Sequence, residues 1–170
     1  PDMKHIPGID MSSGSLGQGF SAAVGMALAA KMDGKDYRVY SLAGDGEIQE
    51  GQVWEAASLA AQQKLSNLIA FVDWNKKQLD GYISDINDFS NIAERFAAFG
   101  WDAVTVDGHD VAAIADAIEN AKRLDDGRPH CIVLDTIKGK GCSFVSDADS
   151  NHHVTISAEQ LAAGLAELEE

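Results

Sequence analysis

Basic side chains are few in this sequence: 13 Lys and Arg stand against 27 Asp and Glu, a formal net charge of −14. Binding a phosphate chain needs a basic stripe, and the Lys and Arg here are scattered, so nucleic acid is excluded as a partner. The acidity serves solubility instead. Cysteine is scarcer still, with Cys131 inside an apolar run and Cys142 in a Gly-rich loop. Without a Cys-x-x-Cys pair or a signal peptide, these two thiols point to a reducing cytoplasm. No apolar run approaches the roughly 20 residues of a membrane span, so no membrane is expected as a partner. An initiator methionine is lacking too. Pro1-Asp2-Met3 opens a loop-like stretch running to Ser15, as though cut from something longer.

What is present is the composition of one globular domain: 170 residues, 45% apolar and 24% charged. Helical and strand periodicities alternate along it. Gly17 to Met32 is rich in small residues, with Phe20, Val24, Leu28 and Met32 spaced along one helix face. Arg38 to Ala43 reads as a buried strand ending in the turn Gly44-Asp45-Gly46. Glu50 to Lys64 is helical, with Val53, Ala57, Ala60 and Ala61 on one side, and Leu68 to Val72 is a second strand. A polar loop through Asn75 and Gly81 precedes a short helix, Ile92 to Phe99, and a third strand, Trp101 to Val106. Asp110 caps a helix whose stripe is Val111, Ile114, Ala115 and Ile118. A fourth strand, Cys131 to Thr136, leads into a loop from Lys138 to about His153, and Ser157 with Gln160 forms a capping box for a last helix.

Strands that are apolar throughout, separated by helices, imply an α/β fold: a doubly wound, mainly parallel sheet with helices on both faces. Ligands of such sheets sit beyond the carboxyl ends of the strands. Those ends carry Gly44-Asp45-Gly46, Asp73 to Asn75, Asp107-Gly108-His109 and Thr136 to Gly141.

Asp45 and Asn75 stand 30 residues apart, about one strand-helix-strand unit, so they emerge at neighbouring strand ends. A carboxylate, an amide oxygen and a main-chain carbonyl are hard ligands suited to magnesium or calcium, leaving positions for phosphate oxygens and water. Gly44 and Gly46 let the backbone turn sharply and approach a diphosphate, and the helix after Gly46 is expected to add its N-terminal dipole. The spacing Gly14-x-x-Gly17-x-Gly19 is not a dinucleotide fingerprint, because the order is reversed and no strand precedes it.

Gly44-Asp45-Gly46 through Asn75 resembles the thiamine diphosphate signature of the transketolase family. Ser13 to Gly19, Glu47-Ile48-Gln49-Glu50-Gly51, Leu79-Asp80-Gly81, Asp107-Gly108-His109-Asp110 and Thr136 to Gly141 resemble further transketolase segments, in family order, over nearly the whole chain. The resemblance implies a single thiamine-diphosphate-binding domain over 1–170, lacking the family's N-terminal segment. It implies thiamine diphosphate and Mg as cofactors, with Asp45 and Asn75 holding the metal through side chains and Lys77 through its carbonyl oxygen. Gly46 would pack against the diphosphate, Gly14 and Leu16 along the aminopyrimidine, and Leu79 and Ile137 on either side of the thiazolium. Glu50 resembles the family glutamate at the dimer interface. His152 or His153 matches a family histidine near the diphosphate or substrate, and His109 is structural.

Ser15 replaces a proline common in full-length transketolases, and Lys76-Lys77-Gln78 is unusually polar. Both features resemble the split transketolases of prokaryotes, whose two polypeptides share one site. The implied reaction moves a two-carbon ketol unit from a ketose phosphate to an aldose phosphate, the cofactor acting as electron sink. The glutamate that activates the cofactor belongs to the family's pyrimidine-binding domain, and nothing here corresponds to it. The resemblance also implies that the substrate-handling histidines of the family's N-terminal segment are lacking, since Pro1-Asp2 aligns immediately after one of them, where the family reads Gly-His-Pro, and His5 is not at that position. The expected partner is therefore a C-terminal transketolase subunit carrying that domain, in a homodimer or heterotetramer, with no activity in the isolated chain. The alternatives are a subunit of a 2-oxoacid dehydrogenase, a deoxyxylulose phosphate synthase, or a non-catalytic remnant that keeps the fold.

Overall fold

The computed structural model describes residues 2–124, 126–148 and 150–169, so Pro1, where the loop-like opening begins, lies outside the described residues. Four parallel strands form the central sheet: β1 (Val39–Gly44), β2 (Leu68–Trp74), β5 (Asp102–Asp107) and β6 (His130–Asp135), in the spatial order β1-β2-β6-β5. A two-stranded antiparallel hairpin, β3 (Lys77–Gln78) and β4 (Gly81–Tyr82), stands apart. The helices are α1 (Gln18–Met32), α2 (Gly51–Gln62), α3 (Ile83–Ile86), α4 (Ile92–Ala98), α5 (Val111–Arg123), α6 (Ser143–Ser146) and α7 (Ala158–Glu167).

The alternation of side chains along each strand divides the core in two. Leu68, Ala70 and Val72 of β2, with Cys131 and Val133 of β6, pack with α1, α2 and α4. Ile69 and Phe71 of β2, with Ile132 and Leu134 of β6, pack with Ala117, Ile118 and Ala121 of α5. Helices therefore pack on both faces of the parallel sheet, but β1, expected as a buried strand, and β5 are edge strands that are only partly covered: Tyr40 and Leu42 of β1 and Val104 of β5 are exposed. On the first face an aromatic cluster of Phe20, Trp54, Phe96 and Trp101 fills the space between the helices. The indole N–H of Trp101 donates to the Ala57 carbonyl at 2.9 Å, leaving no buried donor unpaired there.

Two helix stripes differ from the spacing read in the sequence. Met32 is exposed, and the buried line of α1 is Phe20, Ala23, Val24, Ala27 and Ala30. Steps of four residues drift around a helix, and at about 100° per residue Met32 lies roughly 120° round from Phe20. In α5, Val111 and Ala115 face solvent, while Ala117 and Ala121 are buried against Ile69 and Ile132. Alanine lets that helix sit close to the sheet. The two caps form as expected: Asp110 Oδ1 accepts from the Ala112 and Ala113 amides, and Ser157 with Gln160 closes a reciprocal capping box. The hairpin and α3, read as loop, hold the polar segment after Asn75 in place. Among the described residues, no helix is long and apolar enough to cross a membrane.

Candidate functional site

Strand register brings the chemistry-bearing residues to one edge. Gly44 lies opposite Asp73, Trp74 opposite Asp135, and Asp107 opposite Asp135. The loop after β1 and the loop after β2 therefore touch. The main-chain N–H of Asp45 donates to the Asp73 carbonyl at 3.2 Å. The Asp45 carboxylate, only 3% exposed, accepts from the Gly46 amide at 2.8 Å and from the Lys76 amide, across the gap, at 2.7 Å. Lys76 reaches it from a left-handed conformation, φ 66°, an arrangement that costs a non-glycine residue energy and persists where its surroundings demand it.

Burial raises the Asp45 carboxyl above the ordinary aspartate range. The Lys76 and Gly46 amides oppose that shift, the nearby Asp73 charge adds to it, and Lys138 opposes it in turn. A buried carboxylate in this state gains from a cation. Asn75 stands beside it: its Nδ2 donates to Asp73 Oδ2 at 2.9 Å, and its Oδ1 accepts from the Lys77 amide at 3.1 Å. Each oxygen that would face an ion thus keeps a spare lone pair. Among the described residues no three His, Cys, Asp or Glu side chains gather as a softer metal centre. The donor set on offer is one carboxylate, one amide oxygen and the Lys77 carbonyl, a fit for a hard cation that also binds phosphate.

The glycine-rich segment docks onto the start of α2. Glu47 Oε1 accepts from the Gly17 amide at 2.9 Å and its Oε2 from the Gly44 amide at 3.1 Å, so one carboxylate ties this segment to the end of β1. Gln52 Nε2 donates to the Leu16 carbonyl at 2.8 Å. The chain after Gly46 differs from expectation: residues Glu47–Gln49 form a 3₁₀ turn and α2 begins only at Gly51, so no α-helix N-terminus follows Gly46 directly. The Trp54 indole, donating to the Ile48 carbonyl at 2.7 Å, fixes that turn. At Gly46 a Cβ would meet Gln78 Cβ at 3.1 Å, so the turn is tight against the hairpin.

The three apolar residues expected at the site face outward: Leu16 is 53% exposed, Leu79 56% and Ile137 55%. Glu50 is exposed as well, and Gly14 has open space around it. Grooves of about 530 Å³ and 480 Å³ lie beside Leu79 and Ile137 respectively, and Asp45 lines neither. Apolar surface is thus left uncovered along this edge. His109 accepts the Ile137 amide at its Nε2, 2.9 Å away, holding the backbone of that loop.

The structure separates the two candidate histidines. His152 Nδ1 lies 3.0 Å from Lys138 Nζ, which itself donates to the Lys77 carbonyl at 3.3 Å. His153 touches the ring of His152, centroids 5.1 Å apart. The Lys138 ammonium holds His152 below the ordinary histidine pKa, with desolvation and His153 acting in the same direction. Buried Asn151 pins this segment by donating to the Lys138 and Val145 carbonyls. Glu47, Gln52, Asp73, Lys138 and Asn151 carry no signal in sequence beyond lying in or near recognised segments, because each has a partner from a separate part of the chain: Gly17, Leu16, Thr136, Lys77 and Lys138 respectively.

A family model described as "Transketolase, thiamine diphosphate binding domain" matches residues 1–168. The chain is 49% identical over 168 residues to a 6-deoxy-6-sulfo-D-fructose transketolase subunit from Clostridium sp., covering 99% of this chain and 61% of that subunit. It is 39% identical over 168 residues to an apulose-4-phosphate transketolase subunit from Phocaeicola vulgatus, covering 98% of this chain and 59% of the relative. The chain therefore spans about three-fifths of the length of these relatives. Among solved structures, a transketolase from Pichia stipitis in complex with sedoheptulose 7-phosphate superposes with a TM-score of 0.76 at 29% identity, over 99% of this chain and 30% of that one. A transketolase from Campylobacter jejuni gives 0.74 at 29% identity, over 95% of this chain and 30% of the other.

Proposed function

This chain belongs to the transketolase family, through its thiamine diphosphate binding domain; from that premise we propose that it is the cofactor-holding part of a split transketolase. Together with a partner carrying the pyrimidine-binding domain, it transfers a two-carbon ketol unit from a ketose phosphate to an aldose phosphate. Relatives named as transketolase subunits support a partner, and so does the half-open site with Leu16, Leu79 and Ile137 exposed. The assembly is a homodimer or heterotetramer in the cytoplasm, with Glu50 at the contact between protomers.

In this reading Asp45 and Asn75 hold Mg through their side chains and Lys77 holds it through its carbonyl. Gly44 and Gly46 keep the backbone close to the diphosphate. Leu79 and Ile137 exclude water from the faces of the thiazolium, and Gly14 and Leu16 line the aminopyrimidine side. Thiamine diphosphate, when bound, supplies the electron sink for carbon–carbon cleavage. His152 is favoured over His153 for the diphosphate or substrate because it is joined through Lys138 to the Lys77 carbonyl. The acid-base work on the aminopyrimidine falls to the partner's domain.

The observation that carries this reading is the 2.7 Å bond from the Lys76 amide to Asp45 Oδ2, which sets both loops around one point. Calorimetric titration of thiamine diphosphate with Mg, with and without the partner polypeptide, tests it. Metal-dependent binding in the complex, and turnover of a ketose phosphate only when both polypeptides are present, is the expected result. Absence of cofactor binding in every combination overturns the reading in favour of a remnant. Turnover of pyruvate but not xylulose 5-phosphate by the complex turns it toward a 2-oxoacid enzyme.

A further inference from the structure

We propose that Asp73 is a positioning residue that sets which atom of Asn75 faces the metal, an inference that rests on the reading of Asn75 as a ligand. An asparagine amide presents an oxygen on one side and an N–H₂ on the other, and only the oxygen binds a cation. Rotation by a half-turn about the last side-chain bond exchanges them at little steric cost. Something must decide the orientation before the ion arrives.

Asp73 makes that decision by its chemistry. An ionised carboxylate only accepts hydrogen bonds. Asp73 Oδ2 lies 2.9 Å from one atom of the Asn75 amide, so that atom is the nitrogen and the oxygen is turned the other way. The Lys77 amide, donating to that oxygen at 3.1 Å, agrees with the same orientation. The second oxygen of Asp73 is held from the opposite side by the hydroxyl of Thr136, just beyond β6. The Thr136 amide in turn donates to the Trp74 carbonyl at 3.2 Å, which fixes the hydroxyl relative to β2.

The orientation therefore passes from the sheet, through Thr136, to Asp73 and on to Asn75. Asp73 also lies next to Asp45 through its own carbonyl, which accepts the Asp45 amide at 3.2 Å. One residue at the end of β2 thus serves both loops, with its main chain on the carboxylate ligand and its side chain on the amide ligand. Partners that orient ligands without touching the metal typically govern affinity by about 10–100-fold.

Two explanations of Asp73 make different predictions. As an orienting acceptor it is partly replaceable by asparagine, whose oxygen can accept from Asn75 while its N–H₂ donates to the Thr136 hydroxyl. As a source of negative charge it is not. Full chain with its partner polypeptide is titrated with Mg in the presence of thiamine diphosphate by calorimetry, for wild type, Asp73→Ala and Asp73→Asn. The metal-free chain is followed in parallel by thermal melting and by the side-chain amide signals of Asn75 in ¹⁵N NMR.

Asp73→Ala is expected to weaken Mg binding about tenfold or more and to shift the Asn75 amide signals, while Asp73→Asn, which loses the charge but keeps an acceptor, loses several-fold less than Asp73→Ala. Equal losses in the two variants overturn the inference, because charge then matters rather than orientation. Unchanged affinity in Asp73→Ala overturns it as well, as does a fall in melting temperature with no change in the Asn75 signals. Should Asp73→Ala fail to fold, Thr136→Val takes its place: a severalfold loss of Mg affinity supports the chain of contacts, and wild-type affinity refutes it. A wild type that takes up no metal in any combination overturns the functional reading itself, whereas normal wild-type binding with an inert Asp73→Ala removes only this inference.

Discussion

Lys138 donates its ammonium to the main-chain carbonyl of Lys77 at 3.3 Å, the same carbonyl proposed as a metal ligand. The ammonium also lies close enough to lower the Asp45 carboxyl against the effect of burial. A fixed positive charge beside a cation site opposes the incoming ion, and at the same time favours an anionic diphosphate. Lys138→Met is therefore expected to act in opposite directions on the two ligands. Binding of Mg alone should tighten several-fold, and binding of thiamine diphosphate at saturating Mg should weaken by about tenfold or less. Parallel calorimetric titrations check both, and a change of the same sign for both ligands refutes the argument.

The same ammonium gives His152 a recognisable titration. Lys138 at 3.0 Å disfavours the charged ring and keeps its pKa below the ordinary histidine value. A group whose folded pKa is depressed resists protonation, so any stability it contributes is present above its unfolded pKa and is lost as pH falls through the depressed folded value. The ring is solvated, so the effect on stability is small and the titration itself is the useful signal. Histidine ring resonances followed by NMR should place the His152 midpoint below that of a free histidine, and Lys138→Met should move it upward. An unmoved midpoint in that variant removes Lys138 as the cause.

These two contacts mark the limit of what is legible in the sequence. The parallel sheet and its carboxyl edge follow from the apolar runs, most plainly those of β2 and β6, because a strand buried on both faces leaves that pattern, whereas β1 and β5 turn out to be half-exposed edges. Asp45 and Asn75 can be paired because a strand-helix-strand unit has a narrow range of lengths. Glu47 cannot be read as the tie between Gly17 and Gly44, since one of its partners lies 30 residues away on a loop without periodicity. Nor can His152 be separated from His153, because that choice depends on a lysine 14 residues upstream. The stripe of α5 is ambiguous for a similar reason: Ile114 and Ile118 fit two overlapping helix templates, and only packing against Ile69 and Ile132 selects the Ala117 and Ala121 side.

Gly17 carries two constraints at once, and replacing it tests how the glycine-rich segment is held. Its φ of 78° is one that residues with a side chain rarely adopt, and a Cβ there would come within 2.8 Å of Gln52 Cγ. Gln52 is the residue that holds the Leu16 carbonyl. Gly17→Ala should cost about 1 kcal/mol or more from backbone strain alone. It should also push Gln52 away, freeing Leu16 and weakening thiamine diphosphate binding beyond what the loss of stability explains. Gln52→Ala, which removes the hydrogen bond without straining the backbone, separates the two effects. Matching losses of cofactor affinity in both variants support the docking role, and a loss confined to Gly17→Ala leaves strain as the whole cause.

The two thiols offer a check on the core that does not depend on any ligand. Cys131 is fully buried on β6, in the cluster facing α1 and α2, and burial pushes its thiol far above the usual range. The thiolate is the reactive form, so Cys131 should be inert in the folded chain. Cys142 is half-buried and precedes α6, where its sulfur lies near Gly164 of α7. A disulfide-exchange reagent should therefore label one thiol readily in the native chain and two in denaturant, and Cys142→Ser should leave none that reacts until the fold opens. In that variant the labelling rate of Cys131 becomes a measure of opening between β6 and the helices above it. Rapid modification of Cys131 without denaturant means that the helices do not close over this face of the sheet.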